Sequence, residues 1–433
     1  MKSKFVKSTI ILLIGGLLTK ILGMVIKMIE TRLLGAEGIG LFMLISPTFN
    51  LLLTISQFGL PTSISTLVAR DQYRSKHLIL SVYPFMLGIN VFLFLFLVLS
   101  GRFLSTSLLH DERLYHPLLC IGLVLPFITS SSLIRGYFFG KEKMFPHVLS
   151  NITEDLIRIV LFLFGIPYFL QFGLECTISF LILSNIISES VQMLTLFFFF
   201  PKKLIWKKED FIPKKDYFQD VLSISIPTTG SRFIGSIGYF LEPIFLTSIL
   251  LKSGYSNHFI VTEYGILEGY VLPLLMLPSF FTMAISQALI PVISKAFSKK
   301  QFSFAKNKLK QAVLFSLMIG IPITCFFFFF PNLPLNFLYH TNKGISYLKI
   351  ISPFFLLLYI QTPFTATLQA MGKAKIAMKG TLLGMILRTT SLCILSFFKI
   401  GLWGLVIAMI TNIFFVTFYQ GYHINNLFKT KKI

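Results

Sequence analysis

Residues 201–219 read PKKLIWKKEDFIPKKDYFQ, the one long polar interruption in a chain otherwise built from apolar stretches. Working outward, the N-terminal side divides into apolar segments at roughly 5–29, 39–69, 78–100, 114–139, 148–170 and 176–200. The C-terminal side divides at roughly 221–251, 264–291, 312–335, 345–371, 377–399 and 401–424. Each is long enough for the ~20 mostly apolar residues that cross a bilayer as a helix. Prolines inside them, such as Pro47, Pro126 and Pro322, are tolerated at that depth because neighbouring groups re-satisfy the freed backbone. The composition agrees. Of 433 residues, 55% are hydrophobic and 13% charged, against about 45–50% and about 25% in soluble domains. The spacing therefore predicts an all-α integral membrane protein of about 12 transmembrane helices. Its organisation is a six-helix lobe over 1–200, a basic linker over 201–220 and a second six-helix lobe over 221–433. The N-terminal apolar stretch is too long for a cleaved signal peptide and is expected to be a span.

The formal net charge of +22 sorts by side. With the N-terminus placed in the cytoplasm, 27 of the 39 Lys and Arg residues fall in cytoplasmic segments, 7 in the opposite loops and 5 within spans. That asymmetry is the positive-inside pattern, and it predicts both termini on the cytoplasmic side. Spread over alternating loops, the same charge makes no stripe for nucleic acid, so no nucleic-acid partner is expected. The sequence holds no Ser/His/Asp set, P-loop, Rossmann glycines or metal-ligand spacing, and its four cysteines lie far apart. Neither an enzyme nor a cofactor or metal site is expected.

The two sides of the linker resemble each other. Thr19-Lys20-Ile21-Leu22-Gly23 leads to Glu30, and Ser231-Arg232-Phe233-Ile234-Gly235 leads to Glu242, at one offset of 212. Pro61 and Pro291 read as the ends of helices 2 and 8, at offset 230. Gly140-Lys141-Glu142-Lys143 pairs with Gly372-Lys373-Ala374-Lys375 at 232, and Arg158 with Arg388 at 230. An even number of spans per half makes a parallel repeat, an organisation shared with transporters whose substrates bind near the midplane.

Ionisable groups within spans cost about +2.5–3.5 kcal/mol each on insertion scales, and so mark function. Lys20 and Lys27, two helical turns apart, share a face of helix 1, and Arg232 holds the Lys20 position in the second half. Together they form a candidate cationic patch for an anionic head group, above all a pyrophosphate. Glu30 and Glu242 are placed to hold these cations when substrate is absent. Glu268 and Glu189 are candidate proton or cation sites. Glu154 and Arg158 form an i,i+4 pair of structural type, Asp155 points away from it, and Arg388 needs a partner from another helix. Ser294–Gln311, with its six lysines, reads either as a surface amphipathic helix or as a basic loop.

Three further stretches carry a family resemblance. They are Gly35-Ala36-Glu37-Gly38-Ile39-Gly40-Leu41-Phe42; Arg135-Gly136-Tyr137-Phe138-Phe139-Gly140 with Met144, Pro146, Ser150, Glu154 and Arg158; and Tyr264-Gly265 through Leu272-Pro273-Leu274-Leu275 and Pro278 to Ala288-Leu289-Ile290-Pro291-Val292-Ile293-Ser294. They resemble stage V sporulation protein B-like members of the polysaccharide-transporter branch of the multidrug/oligosaccharidyl-lipid/polysaccharide exporter superfamily. The resemblance implies a multi-pass protein of the bacterial plasma membrane that flips a polyprenyl-pyrophosphate-linked saccharide, such as lipid II or a polysaccharide repeat unit, by alternating access. Its implied partners are that lipid-linked saccharide, the bilayer and a coupling cation, H+ or Na+. It also implies a basic helix-1 residue, here Lys20, on the head group. Many such relatives have fourteen spans where this reading finds twelve. No acid lies deep in helix 1, which disfavours the alternative of a cation-coupled multidrug antiporter. A second alternative is a membrane assembly factor that transports nothing, its cavity charges paired internally.

Overall fold

The computed structural model describes residues 2–69, 75–200 and 215–430; the linker residues 201–214 lie outside the described residues. Among the described residues every regular element is a helix. In chain order they are α1 (Lys2–Gln57), α2 (Leu60–Ala69), α3 (Ser75–Phe103), α4 (Tyr115–Gly140), α5 (Met144–Leu170), α6 (Leu174–Phe198) and α7 (Lys215–Lys252). There follow α8 (Asn257–Tyr264), α9 (Leu272–Met276), α10 (Ser279–Ser298), α11 (Phe302–Phe329), α12 (Asn332–Tyr339), α13 (Ile345–Ala370), α14 (Ala374–Ser396) and α15 (Trp403–Thr430).

Eleven segments among the described residues are long and apolar enough to cross a membrane. They map onto the twelve stretches read from the sequence with three differences. The first two stretches run together as Ile14–Ala69. They remain two helices that meet at a kink at Gly35, whose φ of 67° and ψ of −177° leave helical geometry; glycine has no Cβ to oppose that φ. The eighth stretch, expected at 264–291, is instead two segments, Asn257–Met276 and Ser279–Ser298. The first of these is not uniform, because a π-helical stretch, Gly265–Val271, joins α8 to α9. The third difference is α5, whose Glu154, Asp155 and Arg158 sit close together and lower its apolarity.

The chain divides into two compact units, Met1–Ile244 and Phe245–Ile433. The division falls within α7 rather than at the linker. Polar pairs account for the early part of α7 belonging to the first unit: Ser63 Oγ lies 2.7 Å from Ser225 Oγ, and Thr54 Oγ1 lies 3.0 Å from Ser236 Oγ. In the first unit α4 is the hub, packed on α2, α3 and α6, with α5 on α6 and α1. In the second unit α13 takes that part, packed on α10, α11 and α15, with α14 on α15. Each unit thus repeats the same internal order.

Helix ends fix the repeat register. α4 ends at Gly140 and α5 opens at Met144; α13 ends at Ala370 and α14 opens at Ala374, an offset of 230 at both ends. The intervening turns place Glu142 at φ 55° and Gly372 at φ 72°, again 230 apart. The offset of 232 expected for Gly140 is therefore two residues long, and 230 agrees with Arg158 and Arg388. Pro61 also departs from expectation. It stands in the first turn of α2, where its missing N–H costs nothing, while Pro291 lies inside α10. The interruptions fall instead at Phe58–Gly59 and Leu277–Pro278.

Apolar packing in each unit is local and continuous. In the first, Leu60, Ile64, Leu67 and Val68 of α2 meet Val82 and Met86 of α3 and Leu133 and Phe138 of α4. In the second, Leu289, Ile293 and Ala296 of α10 meet Ala305 and Leu309 of α11, Leu368 of α13 and Ile424 of α15. The phenylalanine runs 197–200, at the end of α6, and 326–330, at the end of α11, are mixed. Phe198 and Phe329 are exposed, as bulk facing lipid must be, whereas Phe327 is buried and Phe200 stacks on Tyr137 at 4.9 Å. The basic stretch 294–311 is not a separate surface helix. Lys295 closes α10 and Lys306, Lys308 and Lys310 open α11, because the chain turns at Lys300 with φ 57°.

Candidate functional site

The first unit holds a cavity of about 450 Å3. Its floor is the helix interruption: Gln57 ends α1, and Pro61, Thr62, Ser65 and Thr66 follow on α2. Ser132, Arg135, Gly136 and Phe139 line it from α4, His147 from α5 and Arg232 from α7. Positions 132, 135, 136 and 139 recur at helical spacing, so one stripe of α4 faces the space. Gly136 sets the distance between the walls. A Cβ there would meet the Pro61 carbonyl oxygen at 2.7 Å, so α2 and α4 approach backbone to backbone.

The lining is basic and hydroxylated, with no carboxylate in it. Arg135 is half-buried and Arg232 exposed. Neither guanidinium has a hydrogen-bond or ion-pair partner among the described residues. Phe139 lies against the His147 ring at 4.4 Å, and the buried Nδ1 of that ring has no partner among the described residues. Two guanidiniums and an imidazole around hydroxyls, with the buried Glu189 carboxylate behind the wall as an electrostatic neighbour of Arg135, form an anion-binding arrangement. Arg forks fit phosphate oxygens two at a time, and Ser and Thr hydroxyls donate to the rest.

The other residues singled out in the sequence fall elsewhere. Lys20 is exposed on α1 and is not part of this lining. Lys27 is turned inward: its Nζ donates to Glu30 Oε2 at 3.3 Å, lies 3.9 Å from Met43 Sδ and stands 5.8 Å from the centre of the Phe42 ring. Glu242 and Glu268 are buried, Glu268 within the π-helical stretch, and each is engaged by neighbours. Arg388 is half-buried on α14 and likewise engaged.

Glu154 and Arg158 anchor a polar network across α4, α5 and α6. Arg158 Nη2 donates to Glu154 Oε1 at 2.5 Å, to Asn185 Oδ1 at 2.9 Å and to Ser188 Oγ at 3.3 Å. Gln192 Nε2 donates to Glu154 Oε2 at 2.6 Å and to Asn151 Oδ1 at 2.8 Å, while Ser131 donates to Gln192 Oε1. Ser131 precedes the cavity residue Ser132, so the network steadies the α4 face that carries Arg135. Glu189, also buried, leaves Oε2 without a partner among the described residues.

Two cavity residues escape a reading of sequence alone. Arg135 reads there as one of the charges that orient the helices, and His147 as a loop residue beside α5. The available signal is the motif Arg135-Gly136, a cation beside a glycine at the end of a span.

Eleven segments apolar enough to span a membrane and a basic, hydroxyl-lined cavity among them suit a membrane transporter, a class the relatives support. The comparisons place it more closely. Residues 5–297 match the family model described as polysaccharide biosynthesis protein, and 268–395 match MatE. Stage V sporulation protein B of Bacillus subtilis (strain 168) is 36% identical over 428 residues, 96% of this chain and 82% of that protein. The chain belongs to the polysaccharide biosynthesis protein family, within the multidrug/oligosaccharidyl-lipid/polysaccharide exporter superfamily. Lipid II flippase MurJ of the same organism is 23% identical, covering 90% of this chain and 76% of that protein. In fold, the chain is similar to an inward-facing multidrug resistance MATE family transporter of the MOP superfamily, with a TM-score of 0.72, 18% identity and coverage of 96% and 95% of the two chains.

Proposed function

We propose that the protein is a flippase that moves a polyprenyl-pyrophosphate-linked saccharide, lipid II or a polysaccharide repeat unit, across the bacterial plasma membrane by alternating access. The observation that carries this reading is the cavity lined by Arg135, Arg232 and His147 with no acid in its wall. A guanidinium without a hydrogen-bonded partner in the protein calls for an anion or water, and Arg232 lies within a span, where charge is costly. A diphosphate supplies the anion. Arg135 and Arg232 take the diphosphate oxygens, the hydroxyls of Thr62, Ser65 and Thr66 donate to the remainder, and the polyprenyl tail stays in lipid. Lys20, exposed on α1, adds a further cation to the head group. Lys27 is held by Glu30 and is released to substrate in the working cycle. Glu242 and Glu268 are the candidate carriers of a coupling cation, H+ or Na+. Membership of the family and similarity to the lipid II flippase MurJ support the cargo class. The positive-inside pattern supports cytoplasmic termini.

The test is outward transport of a fluorescent lipid II analogue in proteoliposomes. Each charge-assisted hydrogen bond is worth about 1.5–3 kcal/mol, so Arg135→Ala and Arg232→Ala should each slow transport by about tenfold or more at matched reconstitution. Lys in place of either Arg should restore part of the rate, as a point charge without the fork. Transport at the wild-type rate in both alanine variants removes the diphosphate from this cavity.

A further inference from the structure

The second unit has a pocket that the diphosphate reading leaves unused. It lies between α10 and α13 and has a volume of about 270 Å3. Gln361, Thr365 and Gln369 line it from α13 at four-residue intervals, with Thr362 beside them. Ser286 and Gln287 line it from α10, and no residue in the wall carries a charge. The side-chain amides of Gln287, Gln361 and Gln369 make no hydrogen bond among the described residues. Thr365 is braced from behind: its hydroxyl lies 2.9 Å from Oε1 of Gln420, a fully buried residue of α15.

The repeat register makes the chemistry of this wall informative. At the offset of 230, Ser131 corresponds to Gln361, Ser132 to Thr362, Arg135 to Thr365 and Phe139 to Gln369. The same stripe of the hub helix therefore faces a cavity in both units. In the first unit it presents a guanidinium and a ring; in the second, a hydroxyl and amides. Each glutamine amide offers both donors and an acceptor, while the hydroxyls of Thr362 and Thr365 already donate within the protein and keep only their acceptor capacity. An acyl or polyprenyl tail would leave the glutamine amides unpaired, which is costly. A phosphate would meet no cation. A neutral polyol, whose every hydroxyl both donates and accepts, satisfies the wall, and Met283, Ile290 and Leu358 offer apolar surface to its C–H faces. The volume is just below the usual 300–1,000 Å3 of ligand pockets, so it suits one small head-group unit rather than a whole lipid.

We propose that this pocket binds an uncharged saccharide unit of the lipid-linked cargo, with Gln287, Gln361, Thr365 and Gln369 as its hydrogen-bonding residues. The inference rests on the flippase reading but uses different residues in a different unit. The experiment titrates purified protein in lipid nanodiscs with two probes, undecaprenyl pyrophosphate and lipid II. Gln361→Leu combined with Gln369→Leu should weaken binding of lipid II by about tenfold and leave undecaprenyl pyrophosphate unchanged. Arg135→Ala should weaken both. Should the double variant fail to fold, Gln287→Leu on the exposed side of α10 serves in its place, with the same discrimination between probes. Equal weakening for both probes, or none for either, overturns the saccharide pocket and leaves the flippase reading standing. Wild-type protein that binds neither probe overturns the flippase reading itself.

Discussion

Replacing Glu154 by alanine removes the carboxylate that accepts from the Arg158 guanidinium at 2.5 Å. The side chains are mostly buried, with 11% and 21% of their surface exposed for Glu154 and Arg158, so solvent does little to absorb the change. Arg158 keeps hydrogen bonds to the neutral Asn185 and Ser188 and the more distant charges of Asp155 and Glu189, and its Nε already has no partner among the described residues. Removing one member of a buried pair costs about 3–5 kcal/mol in soluble proteins. Interhelical hydrogen bonds in a membrane protein average only about 0.6 kcal/mol, with a maximum near 1.7 kcal/mol, because the unfolded chain in the bilayer also finds partners. With the neutral contacts retained, the expected loss for Glu154→Ala is about 3 kcal/mol. Arg158→Ala leaves Glu154 with its Gln192 donor at 2.6 Å and should cost less. The double variant should be little worse than Glu154→Ala alone, giving a coupling of about 1–3 kcal/mol. The assay is equilibrium unfolding by SDS in mixed micelles, followed by circular dichroism, for the wild type, both single variants and the double. A Glu154→Ala midpoint equal to wild type, or a double variant whose loss equals the sum of the singles, refutes the idea that this pair is a coupled structural unit.

Two further outcomes follow from the geometry. Gly136→Ala places a methyl group 2.7 Å from the Pro61 carbonyl oxygen, where only backbone can give way. It should destabilise by about 1–3 kcal/mol, whereas Gly235→Ala, with nothing within 4 Å, should not; equal unfolding midpoints for the two would contradict the close approach of α2 and α4. Cys176, exposed at the start of α6, lies on the side opposite the termini in the positive-inside arrangement. An impermeant maleimide should label it in intact cells, while a cysteine placed at Lys375 should react only after permeabilisation; the reverse pattern inverts the topology.

Span positions were legible because apolar length is a local property of the chain. The helix interruptions were not. Pro61 and Pro291 attract the eye as breakers, yet the chain breaks at Phe58–Gly59 and Leu277–Pro278, since a proline in a first turn is compatible with a helix and one inside a membrane span is repaired by its surroundings. The cost of charge at depth led to Arg232 directly, and Arg232 does line the first-unit cavity. The same rule could not find Arg135, which sits five residues before the end of α4 and reads as an orienting charge. Glu30, read from the sequence as a holder of the candidate cations, accepts from Lys27. The α4–α5–α6 network was half visible, as the spacing of Glu154 and Arg158. Its partners Gln192 and Asn185 are 38 and 27 residues away from them, and only the folding of α6 against α5 brings them in.

The π-helical stretch from Gly265 to Val271 has a consequence for the faces beyond it. A helix advances about 100° of azimuth per residue. Widening seven residues into π geometry therefore shifts the angular phase of everything downstream relative to a continuous α-helix. The segment acts as a phase shifter: the directions in which α9 side chains point are decoupled from those of α8. Deleting a single residue there would take out the extra residue of the wide turns and restore regular winding, with the later side chains of α9 keeping nearly their present bearings.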